Sequence, residues 1–397
     1  MRGVCEAPLK ADAVADGVGV NIHLHFGDTV YGNFPLIQQL LVDLGVRHTR
    51  DGMIDTTWQP YYDRHTALGK LGIKCLLITD PQLSNSVLTS YPSRIPGAFE
   101  GYEGPNEYDA NGGPNWAQTL QAYIPRLYSA VRSNPATAQY MIVAPSLTKA
   151  DSYQQVTGLD QYFAFANMHN YFGGRNPGTS GWGSNGYGSI SWNMNNVAAG
   201  WPSKPITTTE TGYITGASIP QGIPEDVEGK YAPRMILEQL LHGINRTYIY
   251  ELIDEGKDVN GPEGNFGLAR RDGSRKPAFL ALKNLISTMS DRTGAPNLQN
   301  LEFTLAGGSA NVHHLLFQKA DGSYYLAFWV ESSDFDVNKR LPTPVPMEKV
   351  TFQSNRVFKT TQLLSFGQDG SIQTTQLTPG SQIPLQATDC LSILRLM

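Results

Sequence analysis

The sequence predicts an α/β protein, a (β/α)8 barrel followed by an all-β sandwich domain. Short apolar runs alternate with helix-like segments eight times over the first three-quarters of the chain. Those eight units take about 275 residues, which is the length such a barrel needs. Beyond residue 290 the helical periodicity stops, and strand-like runs joined by Asp-Gly turns replace it.

The first unit opens with GVGVNIHLHF (17–26) and continues into FPLIQQLLVDLG (34–45), whose apolar positions recur at helical spacing. VRHTR (46–50) precedes WQPYYDRHTALGKLG (58–72), and AFEGYEG (98–104) precedes WAQTLQAYIPRLYSAVR (116–132). PITTTETGY (205–213) leads into YAPRMILEQLLHG (231–243), and RTYIYELID (246–254) into PAFLALKNLISTMS (277–290). The other strands are IKCLLITD (73–80), YMIVAPS (140–146) and YFAFANMHNY (162–171). The segments after these three are weakly patterned, and helices are expected there from the rhythm alone. No G-x-G-x-x-G follows the first run, which argues against a doubly wound dinucleotide-binding sheet and for a TIM barrel over 16–290. In 291–397, NVHHLLFQKADGSYYLAFWVE (311–331) reads as a hairpin about Asp321-Gly322. A second turn falls at Asp369-Gly370, and ATDCLSILRLM closes the chain as a strand. Residues 1–15 are expected to dock beside this sandwich.

Composition narrows the partners. Charged residues are 16% of the 397 and the net charge is −5, so there is no basic footprint for nucleic acid or an anionic membrane surface. No run of 18 apolar residues exists to span a bilayer. Cys5, Cys75 and Cys390 have neither metal spacing nor the density of a disulfide framework. MRGVCEAPLK lacks the apolar core of a signal peptide. The expected location is therefore secreted or periplasmic where a leader has been removed, and otherwise cytoplasmic. Oligomeric state is not read from these features.

In a barrel of this kind the reacting groups sit where the strands end and the βα loops gather. Glu107 ends strand four and Glu210 ends strand seven, on opposite sides of the mouth, so the two carboxylates face each other. Such a pair serves a reaction that needs one group protonated and the other ionised, and glycosidic hydrolysis is the leading example. Arg50 and nearby donors would keep Glu210 charged, while burial beside that charge would raise Glu107. Glu103 shares a side of its strand with Glu107 but lies deeper, where it needs a buried partner such as Arg50. Glu100 has the opposite parity, and neither it nor Asp109 is assigned chemistry. Of His23 and His25, a regular pleat aims only one into the mouth, and His25 is the candidate sugar contact. The His-Leu-His spacing offers two metal ligands without an evident third, so neither a metal nor another cofactor is expected. The Gly-rich loop 172–192 carries Trp182, Tyr187 and Trp192. Aromatic faces there suit sugar rings, or else anchor the loop, and Trp182 is the candidate sugar platform.

Four of these positions together resemble the motifs of the retaining glycoside hydrolases of clan A. They are Tyr102-Glu103-Gly104-Pro105-Asn106-Glu107 after strand four, Arg50 after strand two, His169-Asn170-Tyr171 after strand six, and Glu210. NFGLARRDGSRKPAFLALKNLI (265–286) is similar to the segment that closes such barrels before a β-domain, and families 39, 5 and 30 look nearest. The resemblance implies Glu107 as acid/base and Glu210 as nucleophile. It implies Asn106 on the sugar 2-hydroxyl, Arg50 and Tyr171 orienting Glu210, and His169 lining the subsite. Strand eight departs from the pattern: members often end it with a sugar-flooring Trp, and here stand Tyr248, Tyr250 and Glu251. Tyr250 and Glu251 are therefore the candidate contacts. The expected activity is retaining hydrolysis of β-linked oligo- or polysaccharide, with a carbohydrate as the partner. A transglycosylase would share all these residues, and a non-catalytic carbohydrate-binding barrel would bind without turnover. A phosphate-handling isomerase or aldolase would want a Gly-rich loop after strands seven and eight, which Thr211-Gly212-Tyr213 does not supply.

Overall fold

The computed structural model describes residues 4–397 apart from 217, 257, 295 and 296. Its centre is one parallel eight-stranded sheet curled into a barrel. The strands run Val18–Asn21, His48–Gly52, Lys74–Ile78, Phe99–Glu103, Met141–Val143, Ala166–His169, Ile206–Thr211 and Thr247–Ile249. Each falls inside its apolar run or within two residues of it. Strand one pairs with strand eight, and the seam between strands five and six closes through a parallel bridge, Val143 to Phe165. Gly19 lies opposite Tyr248 in that pairing, and a Cβ there would come within 2.3 Å of the tyrosine ring. Tyr248 thus fills the barrel interior and is no platform for a ligand at the mouth.

Helices Phe34–Leu44, Gln59–Lys70, Trp116–Ser133 and Pro277–Met289 follow the predicted spans closely. After strands three and six the rhythm is kept by Asn85–Arg94 and Ile190–Gly200. After strand five it is not: Ser152–Gln155 and a 3-10 turn at Leu159–Tyr162 stand where a full helix was expected. Asp109 explains part of this. Its carboxylate accepts the backbone N–H groups of Thr148 and Lys149 and the Ser152 hydroxyl, fixing an irregular path. The helix expected from 231 begins earlier and spans Glu225–Leu241. Pro224 caps it and Glu225, Asp226 and Glu228 occupy its first turn, favourable next to the positive end of the helix dipole. Nearly all of it is buried, so it lacks the one-sided pattern that marks a surface helix.

That helix lies between the barrel and a sandwich of two antiparallel-rich sheets. The four-stranded sheet joins Val4–Glu6, Leu301–Gly307, Glu348–Ser354 and Gln382–Ala387. The six-stranded sheet includes the hairpin Val312–Gln318 and Tyr324–Val330 and the closing strand Ser392–Leu396. The N-terminal segment contributes a short strand to each sheet: Val4–Glu6 runs antiparallel to Leu301–Gly307, and Leu9–Lys10 parallel to Val312–Gln318. YYLAFWV is apolar without alternation because both its faces are covered. Tyr324, Leu326, Phe328 and Val330 enter the sandwich core, while Tyr325, Ala327 and Trp329 join the barrel's apolar cluster.

Polar groups also cross this junction. Arg234 of the buried helix donates to Glu331, Asp334 and the carbonyls of Ser332 and Asp389. The other oxygen of Glu331 accepts from Asn176 and the Gly178 N–H at 2.8 Å, so a sandwich residue holds the long loop after strand six. On the same helix, burial pushes Glu228 from 4.5 up to about 8, with Lys276 opposing the shift. A carboxyl raised on folding stabilises the protein below its unfolded pKa and loses that contribution as pH rises through the folded value. Glu228→Gln is therefore expected to raise the melting temperature at pH 8.5 but change it little at pH 4.5. A pH series of thermal melts checks this, and equal shifts at both ends would contradict it.

Candidate active site

The C-terminal ends of the strands surround a cavity of about 500 Å³. Arg50, Asn106, Glu107, Tyr171, Glu210 and Tyr250 all line it. Arg50 is only 1% exposed and organises one wall. Its Nε and one Nη grip both oxygens of Glu103 at 2.6 and 2.8 Å. The remaining N–H groups reach Asn21 at 2.9 Å, Glu210 at 2.6 Å and Asn106 at 2.6 Å. All five guanidinium donors are thus used, which a lysine could not reproduce. Burial disfavours the Arg50 charge, but Glu103 and Glu210 overcome that and raise its pKa. Glu103, buried completely, has the partner expected for it.

Strand seven is irregular where it matters. Met168 and His169 of strand six pair with Thr208 and Glu210, so Thr209 is an extra residue on strand seven. A bulge of this kind re-aims side chains, and here both turn into the barrel, Glu210 to the cavity and Thr209 to Glu103, Asn167 and His169 beneath it. Glu210 receives Arg50 on one oxygen and the Tyr171 hydroxyl on the other, at 2.6 and 2.9 Å. Burial alone would raise the Glu210 pKa. The neighbouring His169 and Arg50, with the Arg50 and Tyr171 hydrogen bonds, outweigh it and hold the carboxylate below its usual range.

Glu107 sits just past strand four at φ 43°, ψ 45°, a left-handed conformation uncommon for a residue with a side chain. Its N–H donates to Ser146 Oγ at 2.8 Å, and Ser146 in turn donates to Asn106 Oδ1 at 3.3 Å. Backbone strain at a cavity-lining acid is the kind that functional sites retain. Asn106 Oδ1 is taken by Arg50 and Ser146, which leaves its NH2 group for a ligand.

His169 links the two acids. Its Nδ1 is 2.8 Å from Glu107 Oε1 and 3.5 Å from Glu210 Oε2. Its Nε2 meets Thr209 Oγ1 at 3.1 Å. The single Thr209 hydroxyl proton goes to Asn167 Oδ1 or Glu103 Oε1, both acceptors, so Thr209 accepts from Nε2–H. Nδ1 therefore faces Glu107 across one shared proton. Carboxylate oxygens of Glu107 and Glu210 lie within 4.8 Å of each other and of this nitrogen.

Some expected site residues stand elsewhere. Trp182 does not line the cavity: it packs edge-on against Tyr187, takes the Arg175 guanidinium over its face, and lies behind Gly173. The loop aromatics Trp182, Tyr187 and Trp192 form a row that braces the loop. Glu251 is wholly buried and accepts from the Tyr31 hydroxyl at 2.9 Å, so it lies behind the cavity wall rather than on it. His25 lines the cavity, and so does His23, because strand pairing stops at Asn21 and the chain turns away from the pleat. The third metal-ligand group missing from the sequence is also present in space: Asp51, or Glu251 with Glu255, approaches His23. Asn21, Asn167, Thr209, Glu263 and Phe266 were not anticipated. Asn167 shares a side of its strand with His169 and was legible by parity; Glu263 and Phe266 come from an irregular loop and left no such signal.

A closed parallel barrel with facing carboxylates at its C-terminal mouth and an attached sandwich is the architecture found in glycoside hydrolases. No family model and no curated protein sequence matches the chain. Among solved structures, a family 39 glycoside hydrolase from Bacteroides cellulosilyticus has a TM-score of 0.66 at 14% identity, covering 98% of this chain and 82% of its own. A monomeric β-xylosidase from Caulobacter crescentus has a TM-score of 0.58 at 14% identity, covering 100% and 97%. A family 51 α-L-arabinofuranosidase from Thermotoga petrophila has 0.63 at 10%, covering 100% and 98%. The chain thus has the fold of clan A glycoside hydrolases, and family 39, one of those its motifs resemble, is among its structural neighbours.

Proposed function

We propose that the protein is a retaining glycosidase acting on β-linked oligo- or polysaccharide. The observation that carries the reading is that one nitrogen, His169 Nδ1, reaches an oxygen of each acid, at 2.8 Å on Glu107 and 3.5 Å on Glu210, so the two carboxylates face one small space. Retaining enzymes need such closeness, with acids about 5–5.5 Å apart, whereas inverting ones leave about 6.5–9.5 Å for a water; the separation of the two carboxyl groups is the quantity that tests the choice. In the proposed reaction a Glu210 oxygen attacks the anomeric carbon while Glu107 gives its proton to the departing glycosidic oxygen. The bond to the leaving group breaks and a glycosyl ester forms on Glu210. Glu107, now a carboxylate, takes a proton from water, whose oxygen displaces Glu210 and restores both acids.

The surroundings support these roles. Arg50 and Tyr171 each hold one oxygen of Glu210 and help keep it ionised. His169 shares a proton with Glu107, and the free amide of Asn106 is available to a sugar hydroxyl. Tyr250, edge-on to Phe266 at 5.2 Å, supplies an aromatic wall where the usual tryptophan is missing. The neighbours named above include a β-xylosidase and an α-L-arabinofuranosidase, so pentosyl glycosides are the first to screen.

Glu107→Ala is the test of the acid/base role. With a leaving group that needs no proton, such as 2,4-dinitrophenolate, glycosyl transfer to Glu210 is expected to survive. With poor leaving groups kcat/KM is expected to fall about 10²–10⁴-fold. A loss independent of the leaving group would remove Glu107 from that role.

A further inference from the structure

Beside the cavity, His23, Glu251 and Glu255 bring one nitrogen and two carboxylate oxygens within 4.8 Å of one another. Their arrangement is unexplained by hydrogen bonding. His23 Nε2 lies 3.5 Å from Glu251 Oε2, too far for a good hydrogen bond, and is buried without a partner among the described residues. Glu251 is 0% exposed, and its Oε1 likewise has no partner among the described residues. Two unpaired buried polar atoms in one cluster are costly unless something satisfies both.

A metal ion would. Two ligands about 2.1 Å from one tetrahedral ion lie roughly 3.4 Å apart, close to the His23–Glu251 spacing. The Tyr31 hydroxyl already donates to Glu251 Oε2 at 2.9 Å, the outer support that a ligating carboxylate needs. Thr29 Oγ1 lies 3.4 Å from Glu255 Oε2, though its proton has a nearer acceptor in the Phe26 carbonyl at 3.0 Å. We propose that His23, Glu251 and Glu255 bind a divalent cation of borderline hardness, zinc or manganese, tying the strand-one loop to the strand-eight loop. The donor set of one imidazole and two carboxylates suits such ions better than calcium or magnesium, which favour oxygen alone.

Local charge points the same way. Burial first, and then neighbouring carboxylates, push Glu251 upward; burial does the same to Glu255, although the Thr29 hydrogen bond and the nearby His25 and Arg271 pull the other way. Lys276 is committed to Asp254 at 2.7 Å, and Arg271 bonds backbone carbonyls. The other clusters are less suited. Asp51 already accepts from the Leu24 and Gly52 N–H groups and pairs with His25 and His65. The Glu107–His169–Glu210 group belongs to the cavity chemistry.

The test is calorimetric titration of chelator-treated, full-length protein with ZnCl2 and with MnCl2, alongside thermal melts. One equivalent per chain and a raised melting temperature are expected with at least one of the two ions. Glu255→Gln, at a half-buried position, is expected to weaken binding about 100-fold, and Glu251→Gln at least as much. Glu107→Gln/Glu210→Gln is expected to bind as the unaltered chain does, which separates this site from the glycosidase reading. Absence of saturable binding, undiminished binding in Glu255→Gln, or loss confined to the Glu107/Glu210 double variant would each overturn the proposal.

Discussion

Glu210→Ala is expected to lower turnover of an activated aryl glycoside by at least about 10⁴-fold, because a lost nucleophile cannot be replaced by the remaining machinery. Sodium azide should restore turnover. The small anion fits the space left by the carboxylate, attacks the same carbon and yields a glycosyl azide, which chromatography detects. Full activity without azide would sink the assignment. The pH dependence adds a second reading. Because His169, Arg50 and Tyr171 hold Glu210 below the ordinary value of 4.5 despite its burial, it stays ionised as the medium acidifies. The acid limb of kcat/KM is therefore expected below pH 4.5, and Arg50→Lys should move it upward. The sign for stability is the same. A depressed carboxylate stabilises the fold above its unfolded pKa and loses that contribution as pH falls through the folded value.

Arg50→Met is expected to be the most destabilising single change in the barrel, by about 3–5 kcal/mol, as for other buried ion pairs broken on one side. The loss is not of the Arg50 contacts alone. Glu103 would keep Asn167 and Thr209 but lose its bidentate cation, and Glu210 would lose a charge that helps keep it ionised. Denaturant titration and thermal melts measure the effect, and a melting temperature near that of the unaltered chain would contradict it. Adding Glu103→Gln to Arg50→Met removes one stranded charge and should recover part of the stability. It should recover no activity, since Glu210 remains without its partner. That split separates a structural role for Glu103 from a chemical one.

Much of this fold was written in local pattern. Eight short apolar runs were each bounded by turn residues or helical periodicity, and every one became a strand. Phe34–Leu44 and Trp116–Ser133 were readable because one face of each is apolar and the other wet. The pairing of Glu107 with Glu210 was also readable, since both stand at strand ends and the order of strands in a barrel is known in advance. Glu225–Leu241 was misjudged at its start because it is buried on nearly every side. For Trp182 the two readings stayed open, because an aromatic in a loop looks the same whether it meets a sugar or braces the loop.

By itself, then, the chain's sequence determined the number and order of strands, the barrel, the turns of the sandwich and the two facing acids. These depend on residues close in sequence, whose periodicity and turn chemistry act locally. Only the tertiary structure decided the rest. The bulge at Thr209 arises from pairing with two neighbouring strands, and it brings Thr209 and Glu210 to the same side. Likewise, the five bonds of Arg50, the proton between His169 and Glu107, and the meeting of His23 with Glu251 join groups from separate strands. Such contacts carry no sequence period, because they form only when the barrel closes and water leaves its mouth.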